Sequence, residues 1–287
     1  MTAATADVAA VRVPGRGLAH ELRAVKVVMH RELIRFWRDR TRMVTGLVQP
    51  LLWLFVLATG LSSLTTRGTP GVNLRTFMFA GVIALSVNFT AMFSAASVVW
   101  DREFGFLREM LVAPVSRASI VVGKVLGGAV VASTQGLAIL ALAGLADVPY
   151  SPGLMLTLIL EMYLGAFALT AFGVMMAARI KSIQAFMGLM QLVLLPMMFL
   201  SGALFPLANL PTWLAILTRL NPLTYAVDPM RHAVFAHIDA SPAVRAALNP
   251  GVTWAGWHVP VPLELLIVAT TGLTLLAVAI LEFRRPD

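Results

Sequence analysis

The sequence has no cysteine, so it contains no disulfide framework, no thiolate zinc site and no catalytic thiol. Charge is scarce as well: only 13% of the 287 residues are Asp, Glu, Lys or Arg, roughly half the share of an average soluble domain. With 59% hydrophobic residues there is too little polar surface to cover a water-soluble globule. The same scarcity of charge excludes a disordered chain, which would be poor in apolar residues. A membrane protein is the class that remains. Residues 1–13 lack a basic start followed by an apolar core, so no cleavable signal is read there.

Catalytic and nucleotide-binding patterns are missing too. Gly123-Lys124 is followed by Val125 and has no upstream glycine at the spacing of a phosphate-cradling loop. His20-Glu21 is no zinc-protease signature, because position 24 is Ala. His232 and His237 stand five apart, off a common helix face, and read as surface residues.

What is present is a series of charge-free stretches. A helix needs about 20 residues to cross a hydrocarbon core of about 30 Å. Residues 43–66, 76–100, 125–146 and 148–178 meet that length, the last interrupted only by Glu161. Residues 182–218 run uncharged for 37 positions, and 259–281 carry only Glu264. Pro206, Pro211 and Pro222 cut the second half of the 37-residue run into pieces shorter than a span. The reading is therefore a fifth span over 182–204, then a broken, re-entrant segment, then a sixth span.

The basic residues agree with six. Nine of the 22 lie in 12–42, four between spans two and three, two between spans four and five, and two at the end. An even number of spans puts these 17 on one side and leaves five for the other. The positive-inside rule then places both termini in the cytoplasm. The expected class is an all-α integral membrane protein of six transmembrane helices. Its expected organisation is a flexible tail over 1–16, a cytoplasmic interfacial helix over 17–42 and a permease domain over 43–287.

Leu18, Leu22, Val25, Met29, Leu33 and Phe36 form one stripe of an amphipathic helix, with Arg23, Lys26, Arg31, Arg35 and Arg38 on much of the rest. That pattern suits anionic headgroups. The loop Asp101-Arg-Glu-Phe-Gly-Phe-Leu-Arg-Glu-Met-Leu-Val-Ala-Pro114 is expected to form a second short helix. Phe104, Leu107 and Leu111 fall on one face of it, among charges of both signs, and Ser116 is placed to cap the next helix. Mixed charge on a short helix suits a protein partner better than lipid. Glu161, at membrane depth, must face the bundle interior, a partner or a water-filled cavity. Gln49, Asn88, Gln135 and Gln191 are its candidate partners, and it reads equally as part of a substrate path or as a packing residue. Glu264, closer to the interface, reads as structural.

The segment Asp101 to Arg117, followed by Val-Val-Gly-Lys124, resembles the loop signature of type-2 ABC exporter membrane subunits, and in particular the daunorubicin-resistance-like permeases of bacteria. Leu-Ser-Gly-Ala-Leu-Phe-Pro206, Leu-Pro-Thr-Trp213, Asn-Pro-Leu-Thr-Tyr225 and Asp228 to Arg231 are similar to that family's segment between spans five and six. The resemblance covers the chain from about residue 20 onward.

It implies a permease, not itself an enzyme, in a homodimer or with a paralogous permease, paired with two cytosolic ABC ATP-binding subunits. The chain would bind no cofactor; ATP and Mg would sit on the partner ATPase. The implied localisation is the bacterial inner membrane, with lipid but no nucleic acid as a partner. The loop after span two becomes a coupling helix, with Glu103, Phe104, Leu107, Arg108 and Leu111 as the ATPase contacts. The re-entrant segment becomes an external gate carrying Phe205, Pro206, Trp213 and Tyr225. The implied cargo is a hydrophobic or amphipathic drug, lipid or glycolipid, with multidrug efflux and antibiotic resistance as the setting. The same architecture moving a polysaccharide or an ion stands as an alternative. A stand-alone secondary transporter is the alternative of another class, for which Glu161 alone offers an intramembrane ionisable group.

Overall fold

A computed structural model describes residues 17–60, 74–106, 115–208, 210–254 and 256–284. Six helices among them are long and apolar enough to cross a membrane. In lipid the backbone has to satisfy its own hydrogen bonds, and helices do so within each segment. The spans are α2 (Arg40–Gly60), α3 (Leu74–Glu103), α4 (Arg117–Leu140), α5 (Pro152–Ala177), α6 (Ile183–Leu200) and α10 (Val261–Arg284). An amphipathic helix, α1 (Leu18–Arg38), precedes them. Between α6 and α10 lie α7 (Thr212–Leu220), α8 (Thr224–Ala236), α9 (Pro242–Leu248) and a two-stranded hairpin, β1 (Thr253–Trp254) and β2 (Trp257–His258). The expected tail 1–16 lies outside the described residues.

Span 2, α3, is buried almost all round and packs against α4 and α5, while α10 covers the far side of α5. Small residues let these backbones approach. A Cβ on Gly123 would stand 2.7 Å from Val28 Cβ, and one on Gly127 would stand 3.0 Å from Glu32 Cβ. These glycines, four apart on α4, make the seat on which α1 lies lengthwise. The packed face of α1 is centred on Glu32 and Phe36, whereas Leu18 and Leu22, expected in the same stripe, are exposed.

Span 1 is irregular. Pro50 has no N–H to offer the carbonyl of Gly46, and two residues later the helix widens into a π-helical stretch at Leu52–Leu57.

Several helix ends depart from the charge-free runs. Span 2 was expected to stop at Trp100 but continues through Asp101, Arg102 and Glu103, turning at Gly105 with φ of 84°. Span 3 begins at Arg117, eight residues before Val125, capped by the Ser116 hydroxyl accepting from Ser119 N–H at 3.1 Å. The helices keep their charges because those charges find partners on neighbouring helices. Asp101, Arg102 and Glu103, expected to open a separate loop helix, are thus the last turn of a span.

Two faces result. Hydrogen bonds bring the start of α1, the end of α3, the start of α4 and the end of α10 together on what we call the terminal face. The opposite face carries α7, α8, α9 and the hairpin. At 9 and 13 residues, α7 and α8 are each too short to span, so the segment expected to be broken is broken.

Candidate functional site

The terminal face is held by a buried ionic junction. Lys124 Nζ, on α4, donates to Glu32 Oε1 of α1 at 2.6 Å, to Ser97 Oγ of α3 at 3.0 Å and to Asp101 Oδ2 of α3. Arg31 Nη2 adds a bond to Asp101 Oδ1 at 2.9 Å, and Arg35 stands 3.8 Å from the same oxygen. Arg35 also stacks 4.8 Å from the ring centroid of Trp100. Lys124, Glu32 and Asp101 side chains are 3, 7 and 2% exposed, so water screens them little and each depends on the others. One cation thereby ties three helices together.

From this junction, charged side chains reach the ends of three further spans. Arg102 donates to the carbonyls of Ala177, Ala178 and Ile180 at 3.2, 2.6 and 2.8 Å, closing the C-terminal end of α5. Glu103 Oε2 accepts from Ile183 N–H at 3.0 Å, at the N-terminus of α6. Beyond the loop, Arg117 donates to the carbonyls of Phe283 and Arg284 at 2.8 and 3.3 Å, at the C-terminus of α10. Each sign of charge complements the dipole of the helix end that it meets. Glu21 of α1 accepts from Ser119 Oγ at 2.6 Å and Ser116 N–H at 3.1 Å, and these bonds, Ser119's first, hold its carboxyl below the ordinary range. Arg179 pairs with Glu282.

At the tip, Phe104 is 71% exposed and Phe106 is exposed too. They border a groove of about 590 Å³ whose other wall is α1, with Arg31, Ile34, Arg35 and Arg38. Of the five expected contact residues, the structure places Glu103 and Phe104; Leu107, Arg108 and Leu111 lie outside the described residues. Glu103 sits beside Phe104 in sequence, but its carboxylate is engaged with α6. Arg102 and Lys124 were not singled out from sequence. Their partners are 23 to 92 positions away, where no local spacing signals them.

On the opposite face the expected gate residues separate. Trp213 is exposed on α7 among Ile216, Leu217 and Leu220. Phe205 and Pro206 are half-buried in the turn after α6. Tyr225 is buried, donating to the Arg219 carbonyl at 2.8 Å and accepting from Trp254 Nε1 at 3.0 Å, so it fastens α8 to α7 and to the hairpin.

Arg231, counted from sequence among residues outside the membrane core, is instead buried. It lies 4.3 Å over the Phe77 ring and donates to the carbonyl of Gly202, whose φ of 73° turns the chain after α6. Burial is tolerated because carbonyl, ring and the nearby Asp228 share the charge. His232 is likewise no lone surface residue, since Nδ1 stands 3.4 Å from Asp228 Oδ2.

Glu161 is buried in span 4, and its neighbours differ from those expected. Gln135 donates to the Met43 carbonyl at 3.2 Å, and both polar atoms of Asn88 are buried without partners. The charged groups facing Glu161 are His232 and Glu264. Glu264 is fully buried, with its carboxyl set against that of Asp228 and no N–H or hydroxyl of the described residues donating to it.

These features define a polytopic, all-helical membrane protein with a charge-locked junction on one face and a re-entrant cap on the other. Comparison with known proteins supplies the family: residues 23–235 match the model of the ABC-2 type transporter, and the chain belongs to that family. It is similar to ycf38 of Porphyra purpurea, named as a transport permease, with 29% identity over 222 residues covering 76% of each chain. It is also similar to Nodulation protein J of Rhizobium leguminosarum bv. viciae, with 29% identity over 209 residues, 72% of this chain and 78% of the relative. A third relative is YbhR of Escherichia coli (strain K12), named as a multidrug ABC transporter permease. It shares 30% identity over 162 residues, which cover 55% of this chain and 44% of that protein.

Proposed function

We propose that the chain is the non-catalytic permease subunit of an ATP-driven exporter that moves hydrophobic or amphipathic cargo, a drug, lipid or glycolipid, out of a bacterial cell. The terminal face is cytoplasmic, both termini lie inside, and the membrane is the inner membrane. Two ABC ATP-binding subunits carry the ATP and Mg, and a second copy or a paralogous permease completes the membrane part. Membrane lipid surrounds the assembly, and nucleic acid takes no part.

One observation carries the reading. An exposed aromatic, Phe104, projects beside Arg102 and Glu103, which are bonded to the ends of spans 4 and 5. A push on Phe104 therefore reaches two spans directly, and the Lys124 junction extends it to α1 and span 3. The chain has no phosphate-binding loop, so such a push has to come from another protein. Packed, hydrogen-bonded helices move as rigid bodies between discrete states, which suits alternating inward- and outward-open forms. In this reading Leu107, Arg108 and Leu111 continue the contact, and Phe205, Pro206, Trp213 and Tyr225 belong to the outer gate. Glu161 lines the path of the cargo. A relative named for multidrug transport supports efflux and antibiotic resistance as the setting.

The test is export in inverted membrane vesicles, with the solubilised complex pulled down in parallel. Phe104→Asp abolishes ATP-dependent cargo uptake and loses the co-purifying ATPase, while the protein inserts normally. Wild-type transport and co-purification in that variant would overturn the lever. Uphill movement of cargo by this chain alone in reconstituted vesicles would overturn the ATP-driven reading altogether.

A further inference from the structure

A cleft of about 310 Å³ opens between the end of α1 and spans 1, 2, 3 and 5. Phe89, Phe93 and Met187 are on its apolar side, and Arg42, Thr45 and Gln49 are on its polar side. Arg42 Nη2 is buried there without a hydrogen-bond partner. A buried guanidinium N–H with no acceptor is costly, and an acceptor arriving from outside would relieve that cost.

The charged groups nearest to Arg42 do not fill this role. Asp39 accepts from the Arg42 backbone N–H at 3.0 Å as the cap of α2, Glu32 is paired with Lys124, and Arg35 is itself a cation. The cleft is flanked on the span 1 side by Gly46 and Pro50 as well. Its width is fixed by Gln135, which holds α2 against span 3 through the Met43 carbonyl at 3.2 Å. Gly46 permits this approach, since a Cβ there would come within 3.0 Å of Gln135 Nε2.

We infer that this cleft binds an acidic amphiphile, with Arg42 taking the anionic head and the Phe89–Phe93 wall taking the first part of the apolar tail. The cleft is at the small end of ligand pockets, enough for a head and a short stretch of chain. Guanidinium is the side chain suited to a phosphate or carboxylate, because its planar fork pairs with two oxygens at once. Naming that molecule as cargo rests on the exporter reading; the binding itself does not, since it needs neither nucleotide nor ATPase.

The experiment titrates the full-length chain in phosphatidylcholine nanodiscs with radiolabelled dodecyl phosphate, dodecyltrimethylammonium and inorganic phosphate, subtracting empty nanodiscs. Dodecyl phosphate binds saturably, inorganic phosphate binds at least about a hundredfold more weakly, and the cationic amphiphile shows no saturable component. Arg42→Gln weakens dodecyl phosphate at least about tenfold, the scale of one lost charge-assisted bond, and Arg42→Lys falls between. Gln49→Glu, on the polar side of the cleft, supplies an internal carboxylate and weakens binding comparably, provided the variant inserts and folds as wild type does. Equal binding by wild type and Arg42→Gln, or saturable binding of the ammonium amphiphile, overturns the site. Full displacement by phosphatidylglycerol added to the nanodisc overturns the cargo assignment and gives the site to bilayer lipid. If ATP-driven export fails while Arg42-dependent binding persists, the site is supported and the exporter reading falls separately.

Discussion

The chain buries ionic groups in two places and treats them oppositely. At the terminal face, Lys124 serves two carboxylates and a hydroxyl, and Asp101 is shared by three cations. Beneath the re-entrant cap, Glu264 is completely buried with no cation or N–H donor upon it, and its charged neighbours are two more carboxyls, Asp228 and Glu161. A cluster whose members all have partners fixes the relative positions of its helices. One that sets carboxyl against carboxyl, with no cation on Glu264, holds its helices less firmly. On the cap side that task falls to other contacts, including the Arg231–Phe77 stack and the Tyr225 bonds.

The contrast is open to direct test. The largest effect is expected for Lys124→Met, which leaves Asp101 and Glu32 buried with too little positive charge. It should cost about 3–5 kcal/mol and appear as a large drop in melting temperature in detergent. If Lys124→Met melts like wild type, the junction is not the clamp described here. Next comes Arg102→Ala, which frees three carbonyls at the end of α5. A loss of about 2–3 kcal/mol is expected, together with faster hydrogen exchange at residues 177–183. Tyr225→Phe removes two hydrogen bonds and should cost about 1–2 kcal/mol, with protection lost around Trp254.

Glu264→Gln should be neutral or raise the melting temperature, because its amide can donate to the Asp228 carboxylate without setting a second acid beside it. A destabilisation matching that of Lys124→Met would erase the difference between the two clusters. The smallest effect concerns Glu21, whose carboxyl is held below its ordinary range by Ser119 and Ser116. Its contribution is present above the unfolded carboxylate's titration and is lost as pH falls through the lowered folded value. Glu21→Gln should therefore lower the melting temperature slightly at neutral pH and remove the shallow acid-side slope, so that variant and wild type converge at low pH.

Much of this architecture is legible in local pattern. Six long apolar runs match six spans, and three prolines marked where the re-entrant segment breaks. Phe104 stood out as an aromatic in a charged loop, and it is exposed. What escaped were contacts between helices. Lys124 read as a loop charge ending a span, yet the helix runs through it, because Glu32 and Asp101 meet it from two other helices. Arg231 read as outside the core for the same reason. Glu161 was expected to meet amides on neighbouring spans, but it faces His232 and Glu264 across a fold that sequence spacing does not encode.

The sequence by itself determined the membrane class, the number of spans and where the chain turns, since each depends on runs of residues adjacent along the chain. Only the tertiary structure decided which buried charges are paired and which helix ends Arg102, Glu103 and Arg117 hold. It also decided that Arg42 keeps a buried N–H without a partner at the edge of a cleft. Electrostatic partners act over a few ångströms of space, and packing brings together groups that lie tens of residues apart along the chain.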